Sequence, residues 1–342
     1  MHRRTRVTIA IVAVVLLLLA GAIYLRKKAP PEAARLLPES DGIVYFNLRP
    51  LRTATRFDQH PVSHDVAYQR FIDQTGIEVE RDLDEVAFAL HRMPDPNGPN
   101  GPVAFSEVFV GHFDGRRLSS YLAGLARSTE TYAGHDIYDI PSDGRTVRVT
   151  LLGYDMIAAS NTPSEEQIHS ILDRYRTAAL PFTGSSLLAA HYSDVPLLSI
   201  AWGVGQIGLP LTDAAGSMQV MGLSLPLTFD ATFIASISWA GKTRLRVEEI
   251  APTDMAAKTS ADSMGGILNF ARAAEDGAAP GMGDAETKAL LDSTEIVHHK
   301  NRVVLTATIP AGMLRKLVNA PVSLEGASGG SSKPASSGGD KN

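Results

Sequence analysis

Nineteen consecutive residues near the N-terminus, Val7 to Leu25, carry no charge: VTIAIVAVVLLLLAGAIYL. At about 1.5 Å of rise per residue such a helix is ~28 Å long, close to the thickness of a bilayer's hydrocarbon core. Its backbone amides are satisfied within the helix, so it can cross lipid unaided. The competing reading is a cleaved signal peptide, with an apolar region of about 7–15 residues and a small-residue cleavage site. Leu19-Ala20-Gly21-Ala22 offers such a patch, yet Ile23-Tyr24-Leu25 carries the apolar run on to Arg26-Lys27-Lys28. The length favours an uncleaved anchor. Three bases flank each side of the run, but the tail of residues 1–6 is short and adds an α-amino charge. The tail is therefore expected in the cytoplasm and the body exported. In a bacterium this makes a single-pass inner-membrane protein whose body lies in the periplasm or outside the cell.

Charge and composition narrow the classes further. The chain has 342 residues, with 32 Lys and Arg, 37 Asp and Glu, and no cysteine. Residues 1–28 hold six bases and no acid, which leaves 26 bases against 37 acids in the remainder, a formal charge of −11. An acidic body argues against nucleic-acid binding through a basic surface. The absence of cysteine excludes a disulfide framework, a thiolate metal site, a cysteine nucleophile and a lipid-bearing cysteine. At 44% apolar and 20% charged residues the composition is that of a globular body.

Residues 26–36 read as a linker, ending in the Pro/Ala-rich APPEAARL at 29–36, and the Gly/Ser-rich residues 326–342 as a disordered tail. The body between them, 37–325, has the length of one large or two modest domains, with candidate halves at 37–180 and 181–325. In the first half IVYFNL (43–48) reads as a strand and VAYQRFIDQTG (66–76) as a helix stopped by Gly76. VAFALHR (86–92) and AFSEVFVGHF (104–113) read as a hairpin with a long Pro/Gly connection. Asp114-Gly115 opens a helix. HDIYDI, TVRVTLL and MIAAS are further strands, and Thr162-Pro163-Ser164-Glu165 carries the signals of a helix start running to about Arg176. In the second half DATFIASISWA (230–240) and TRLRVEEI (243–250) form a hairpin at Gly241-Lys242. Helical stretches follow at 253–275 and 284–292, then a strand pair around Asn301. The pattern predicts an α+β body: antiparallel sheet, with helices packed on one face.

Leu37-Pro38-Glu39-Ser40-Asp41 followed by Val44-Tyr45-Phe46-Asn47-Leu48 resembles the opening of certain uncharacterised bacterial envelope domains. So does Thr75-Gly76-Ile77 with Arg81-Asp82-Leu83-Asp84-Glu85-Val86. The resemblance covers roughly the first hundred residues. It implies a single-span anchor carrying a periplasmic or surface domain, and it brings no catalytic residues with it.

Linear motifs for chemistry are weak. Gly203-Val204-Gly205-Gln206-Ile207-Gly208 matches a dinucleotide fingerprint after a strand, but Pro210 interrupts the helix such a site requires. His60 and His64 stand four apart with Pro61 between them and no glutamate for a zinc-helix motif. His298-His299 lies in a strand, where neighbours point to opposite faces. Asp82, Asp84 and Glu85 read as a solvated acidic turn. No catalytic, cofactor or metal constellation is assigned, and the chain reads as non-enzymatic. The most unusual stretch runs from Arg176 to Lys242, whose 65 intervening residues hold no Lys or Arg and three acids, Asp194, Asp213 and Asp230. Within it residues 203–229 are rich in Gly, Leu, Met and Pro and read as a loop or irregular hairpin. Flexible, apolar, Met-bearing segments suit lipid or a hydrophobic partner, which marks Ile207, Leu209, Leu211, Met218, Val220, Met221, Leu223 and Leu225 as candidate lining residues. The alternative is that they pack in the body's own core. Function is thus expected to be a binding or scaffold module in an envelope complex. The rivals are a lipid-binding domain and a hydrolase with a dispersed site.

Overall fold

The computed structural model describes residues 29–56, 64–177, 184–206, 217–220, 223–226, 230–239, 241–277 and 284–313. Among these residues no helix is long and apolar enough to cross a membrane, and the expected span at 7–25 lies outside them.

The body is α+β and is organised by one antiparallel sheet of twelve strands. From one edge its order is β13 (Glu295–His299), β14 (Arg302–Ile309), β12 (Thr243–Ile250), β11 (Thr232–Trp239), β8 (Ser199–Gln206) and β1 (Gly42–Asn47). It continues through β2 (Leu83–Arg92), β3 (Val103–Gly111), β7 (Met156–Ser160), β6 (Arg145–Leu152), β5 (His135–Ser142) and β4 (Ser128–Tyr132). A separate hairpin pairs β9 (Ser217–Val220) with β10 (Leu223–Pro226). The β5–β6 turn shows why local chemistry sets register. Asp143 and Gly144 both adopt positive φ, at 47° and 77°, the turn geometry that matches strand twist in a two-residue hairpin.

The two halves follow the same order. Each has a short helix, a strand, an insertion, a hairpin, one or two helices, and a closing hairpin whose last strand returns to the third. In the first half these are α1 (Glu32–Leu36), β1, the helices α2 (Leu48–Thr55), α3 (Val66–Thr75) and α4 (Val79–Asp82), then β2–β3, α5 (Gly115–Leu125) and β6–β7, with β4–β5 added. The second half runs α7 (Ser186–His191), β8, the β9–β10 insertion, β11–β12, α8 (Asp254–Asp276), α9 (Ala285–Ser293) and β13–β14. Strands β1 and β8 join the halves antiparallel, and Tyr45 stacks on Trp202 across that seam with ring centroids 5.4 Å apart.

Helices cover both faces of the sheet, not one. On the back, α1, α7 and α6 (Glu166–Arg176) bury Ala33, Leu36, Ile168, Ile171, Leu172 and Leu188 against Ile43, Ala87, Val108, Ala158, Trp202 and Val204. On the front, Leu118 and Leu122 of α5 and Phe71 of α3 pack over Tyr138, Val149 and Ile157 at one end. At the other end Ala257 and Met264 of α8 cover Val247, Val303 and Leu305.

Several local expectations are also corrected. Residues 32–36 are no linker, and Leu37 is buried with them. Ala33, Ala34 and Leu37 are 0% exposed and Leu36 is 1% exposed, and burying each leucine contributes about 1.5–3 kcal/mol. The helix after β7 starts at Glu166, because Thr162 turns its hydroxyl to Ser160 Oγ (2.9 Å) and does not cap a helix. Other boundaries follow the sequence chemistry. The Asp65 carboxylate accepts the Tyr68 N–H at the start of α3, and Gly76 closes that helix in the left-handed conformation (φ 75°). The Asp114 carboxylate caps α5 and the Thr253 hydroxyl caps α8.

Candidate functional site

Between the ends covered by α5 and α8 the front face runs over β3, β2, β1 and β8, and of the described helices α2 (Leu48–Thr55) lies against β2 and β8. Paired residues of neighbouring strands share a face, so the register dictates what this stretch displays. Phe109, Val86, Phe46 and Ala201 form one cross-strand row. The next runs Val149, Ala159, Glu107, Phe88, Val44 and Gly203. Phe88 meets Phe46 and Phe109 edge to face, with centroids 6.3 and 6.4 Å apart and interplanar angles of 82° and 83°, the arrangement that ring quadrupoles prefer. Phe46 is 39% exposed, and Phe88, Phe105 and Phe109 are part-buried.

The floor of this trough dips at β8. Gly203 and Gly205 stand two apart in a strand and share the front face with Ala201. A Cβ placed on Gly203 would meet nothing closer than the Ile43 carbonyl at 3.5 Å and Val44 at 3.6 Å. Gly203–Gln206, the described part of the dinucleotide fingerprint, is extended strand, paired on both sides with β1 and β11. No turn or helix start presents amides to a phosphate at Gly203–Gln206.

Glu107 is the acid of the trough. It has no hydrogen bond or ion pair to another described residue, and the front-face positions around it are apolar: Phe88, Ala159, Phe105 and Phe109. Burial pushes its carboxyl from 4.5 up to about 7.

Of the eight candidate lining residues, Ile207, Leu209, Leu211 and Met221 lie outside the described residues. Met218 pairs with Leu225 and Val220 with Leu223 in the β9–β10 hairpin, and β10 runs beside α8, the helix that walls one end of the trough. The trough's own residues went unmarked as a site because they come from strands whose cross-strand neighbours are 19 to 159 positions apart in sequence. The clue in the sequence was a Phe or Val at every second position of 44–46 and 103–109 with Glu107 among them.

Three other polar clusters are brought together. On the back face the His91 Nε2 lies 2.9 Å from Ser106 Oγ, which continues to Ser160 Oγ at 3.1 Å and on to Thr162. Burial holds the His91 imidazole down at about 4, with Asp41 opposing. Ser106 is 0% exposed, so this histidine–serine contact is a buried hydroxyl relay with no approach for a substrate carbonyl. The expected acidic turn is likewise not solvated. Asp84 is 4% exposed and takes Arg49 and Arg52 at 2.9 Å each. Burial raises its carboxyl, but the hydrogen bonds from Arg49 and Arg52 outweigh this and hold it below the usual carboxylate range.

His60 lies outside the described residues, while His64 meets Glu78 and Glu80, with one ligand atom from each within 4.8 Å of the others. His64 Nε2 is 3.3 Å from Glu80, Tyr68 donates to Glu80 at 2.8 Å, and Arg81 donates to Glu78 at 3.1 Å. Both carboxylates thus already accept hydrogen bonds from the protein. His298 and His299 are exposed on opposite faces of the edge strand β13.

No family model matches the chain, and no curated protein matches it. Among solved structures it is similar to crystal form III of TP0453, at 11% identity and a TM-score of 0.47, over 85% of this chain and 99% of that one. Crystal form I of TP0453 gives 11% identity and 0.45, over 86% and 100% of the respective chains.

Proposed function

We propose that this chain is a membrane-anchored envelope protein whose exported body is a non-catalytic binding module, and that its ligand is an apolar molecule laid across the front-face trough. The observation that carries this reading is the ladder of Phe46, Phe88 and Phe109. These rings lie in the middle of a twelve-strand sheet whose front face is packed by helices on both sides of them. Contiguous aromatic surface left between covered ends marks a binding face more often than a scatter of single apolar residues does. The small residues Ala201 and Gly203 leave depth beside the rings for an acyl chain.

The anchor fits this reading. About six residues separate the expected span from α1, a reach of at most ~20 Å when extended, so the body is held close to a source of lipid. A second reading, a module in a protein complex, draws on the edge strand β13, where Val297 is 48% exposed and could pair with a partner's strand.

Native mass spectrometry of the full-length protein, gently extracted from its membrane, separates these readings. Added mass matching lipid, diminished in a folded Phe46→Ser variant, supports the trough. A co-purifying polypeptide supports the complex. A bare protein, wild type and variant alike, counts against both.

A further inference from the structure

Resting on the trough reading, we infer that the ligand is a cationic amphiphile, an apolar chain bearing an ammonium group, and that Glu107 is the residue that receives that group. The argument is one of position and complementarity. Glu107 stands in the middle of a row otherwise made of Val149, Ala159, Phe88, Val44 and Gly203. Its neighbours on the same face of β3 are Phe105 and Phe109, and the facing positions of β7 are Ile157 and Ala159. On the front face of β2 the cation is Arg92, whose strand partner Val103 lies four residues, about 13 Å of backbone rise, from Glu107 along β3. No described side chain pairs with the carboxylate.

An unpaired carboxylate among aromatic rings is costly, and a matching cation is what relieves it. In surroundings of low dielectric a charge pair gains more than it does in water. The Phe88 and Phe109 faces add attraction for an ammonium group. An anionic amphiphile such as a fatty acid would instead place two carboxylates together. The trough therefore discriminates by headgroup charge, with the rings and the glycine floor taking the chain.

The test uses the full-length protein in lipid nanodiscs, with empty nanodiscs as blanks, and equilibrium dialysis of labelled dodecylamine, dodecanol and dodecanoate at pH 8. At that pH an alkylamine is almost fully protonated. Dodecylamine should bind at least tenfold more tightly than dodecanoate, and Glu107→Gln should bring that ratio close to one. Phe88→Ala should weaken all three. Three amphiphiles bound equally by wild type and Glu107→Gln would overturn the assignment of Glu107 and leave the trough standing. Dodecanol or dodecanoate bound preferentially, with the preference lost in Glu107→Gln, would make Glu107 a neutral hydrogen-bond donor and also overturn the cationic ligand. Binding of none of the three would sink the trough reading, and this inference with it.

Discussion

Replacing Glu107 by glutamine measures what the lone carboxyl costs the fold. Burial moves this group from 4.5 to about 7, so between those values the folded protein keeps a proton that the unfolded chain has released. The sign follows directly. The folded state binds more protons, so stability falls as pH rises from about 4.5 to 7, and the penalty is constant above that. The interval corresponds to about 3 kcal/mol, as an upper figure for a part-buried side chain. Glutamine keeps the shape and cannot ionise. The variant should match wild type near pH 4.5 and exceed its stability by up to about 3 kcal/mol at pH 8. Urea unfolding at a series of pH values, followed by circular dichroism, reads the difference between the two proteins. A difference that does not grow with pH, or a variant less stable than wild type at pH 8, would refute the account of a desolvated, unpaired acid.

His91 titrates in the opposite sense. Its folded value of about 4 lies below the ordinary 6.5, so stability is full above pH 6.5 and is lost on acidification from 6.5 towards 4. His91→Gln should flatten that acid limb, read by the same unfolding series. Asp84→Asn leaves Arg52 facing a neutral partner at a site where the carboxylate is 4% exposed. It should cost about 3–5 kcal/mol, measured as a drop in urea midpoint at unchanged slope. Ala34→Asp places a charge where the native side chain is 0% exposed and should prevent folding or cost several kcal/mol. A substitution there that leaves the melting temperature unchanged would return residues 32–36 to the status of a linker.

What was legible in the sequence was local. Gly76, Asp114 and Gly241 each act over a few residues, and each ends or turns an element where its chemistry says it should. The helix covering was misread because strand periodicity reports one buried face, whereas α5 and α8 cover the second face at the two ends of the sheet, through contacts that single-strand periodicity does not report. Residues 32–36 were misread because Pro and Ala are as common in linkers as in tightly packed helices, and only the partners across the core, such as Leu172 and Val108, distinguish the two. The Gly203-Val204-Gly205 motif failed in an instructive way. The same two glycines that would cradle a phosphate at a strand–helix turn become, inside a strand, two gaps on one face. The trough was illegible for a related reason: Phe46, Phe88 and Glu107 become neighbours only through register.

The trough combines two features that a sheet centre normally avoids, and each is expensive alone. A ring 39% exposed at Phe46 forgoes part of its burial, and a carboxyl raised to about 7 weakens the fold at neutral pH. Elsewhere the molecule resolves such conflicts internally. Asp84 has its two arginines, His91 has Ser106, and Glu248, 2% exposed, has Arg246 and Arg302 at 2.7 and 2.5 Å. Glu107 alone among these buried or part-buried groups has no partner within the described residues, and it lies against Phe88. On the reading proposed, both costs are relieved by the same molecule: a chain that covers the rings and a cation that meets the acid. A ligand with only one of those parts would leave the other cost in place. The structure therefore favours an amphiphile over a purely apolar guest or a small cation, and Glu107→Gln is the substitution expected to raise stability while lowering selectivity.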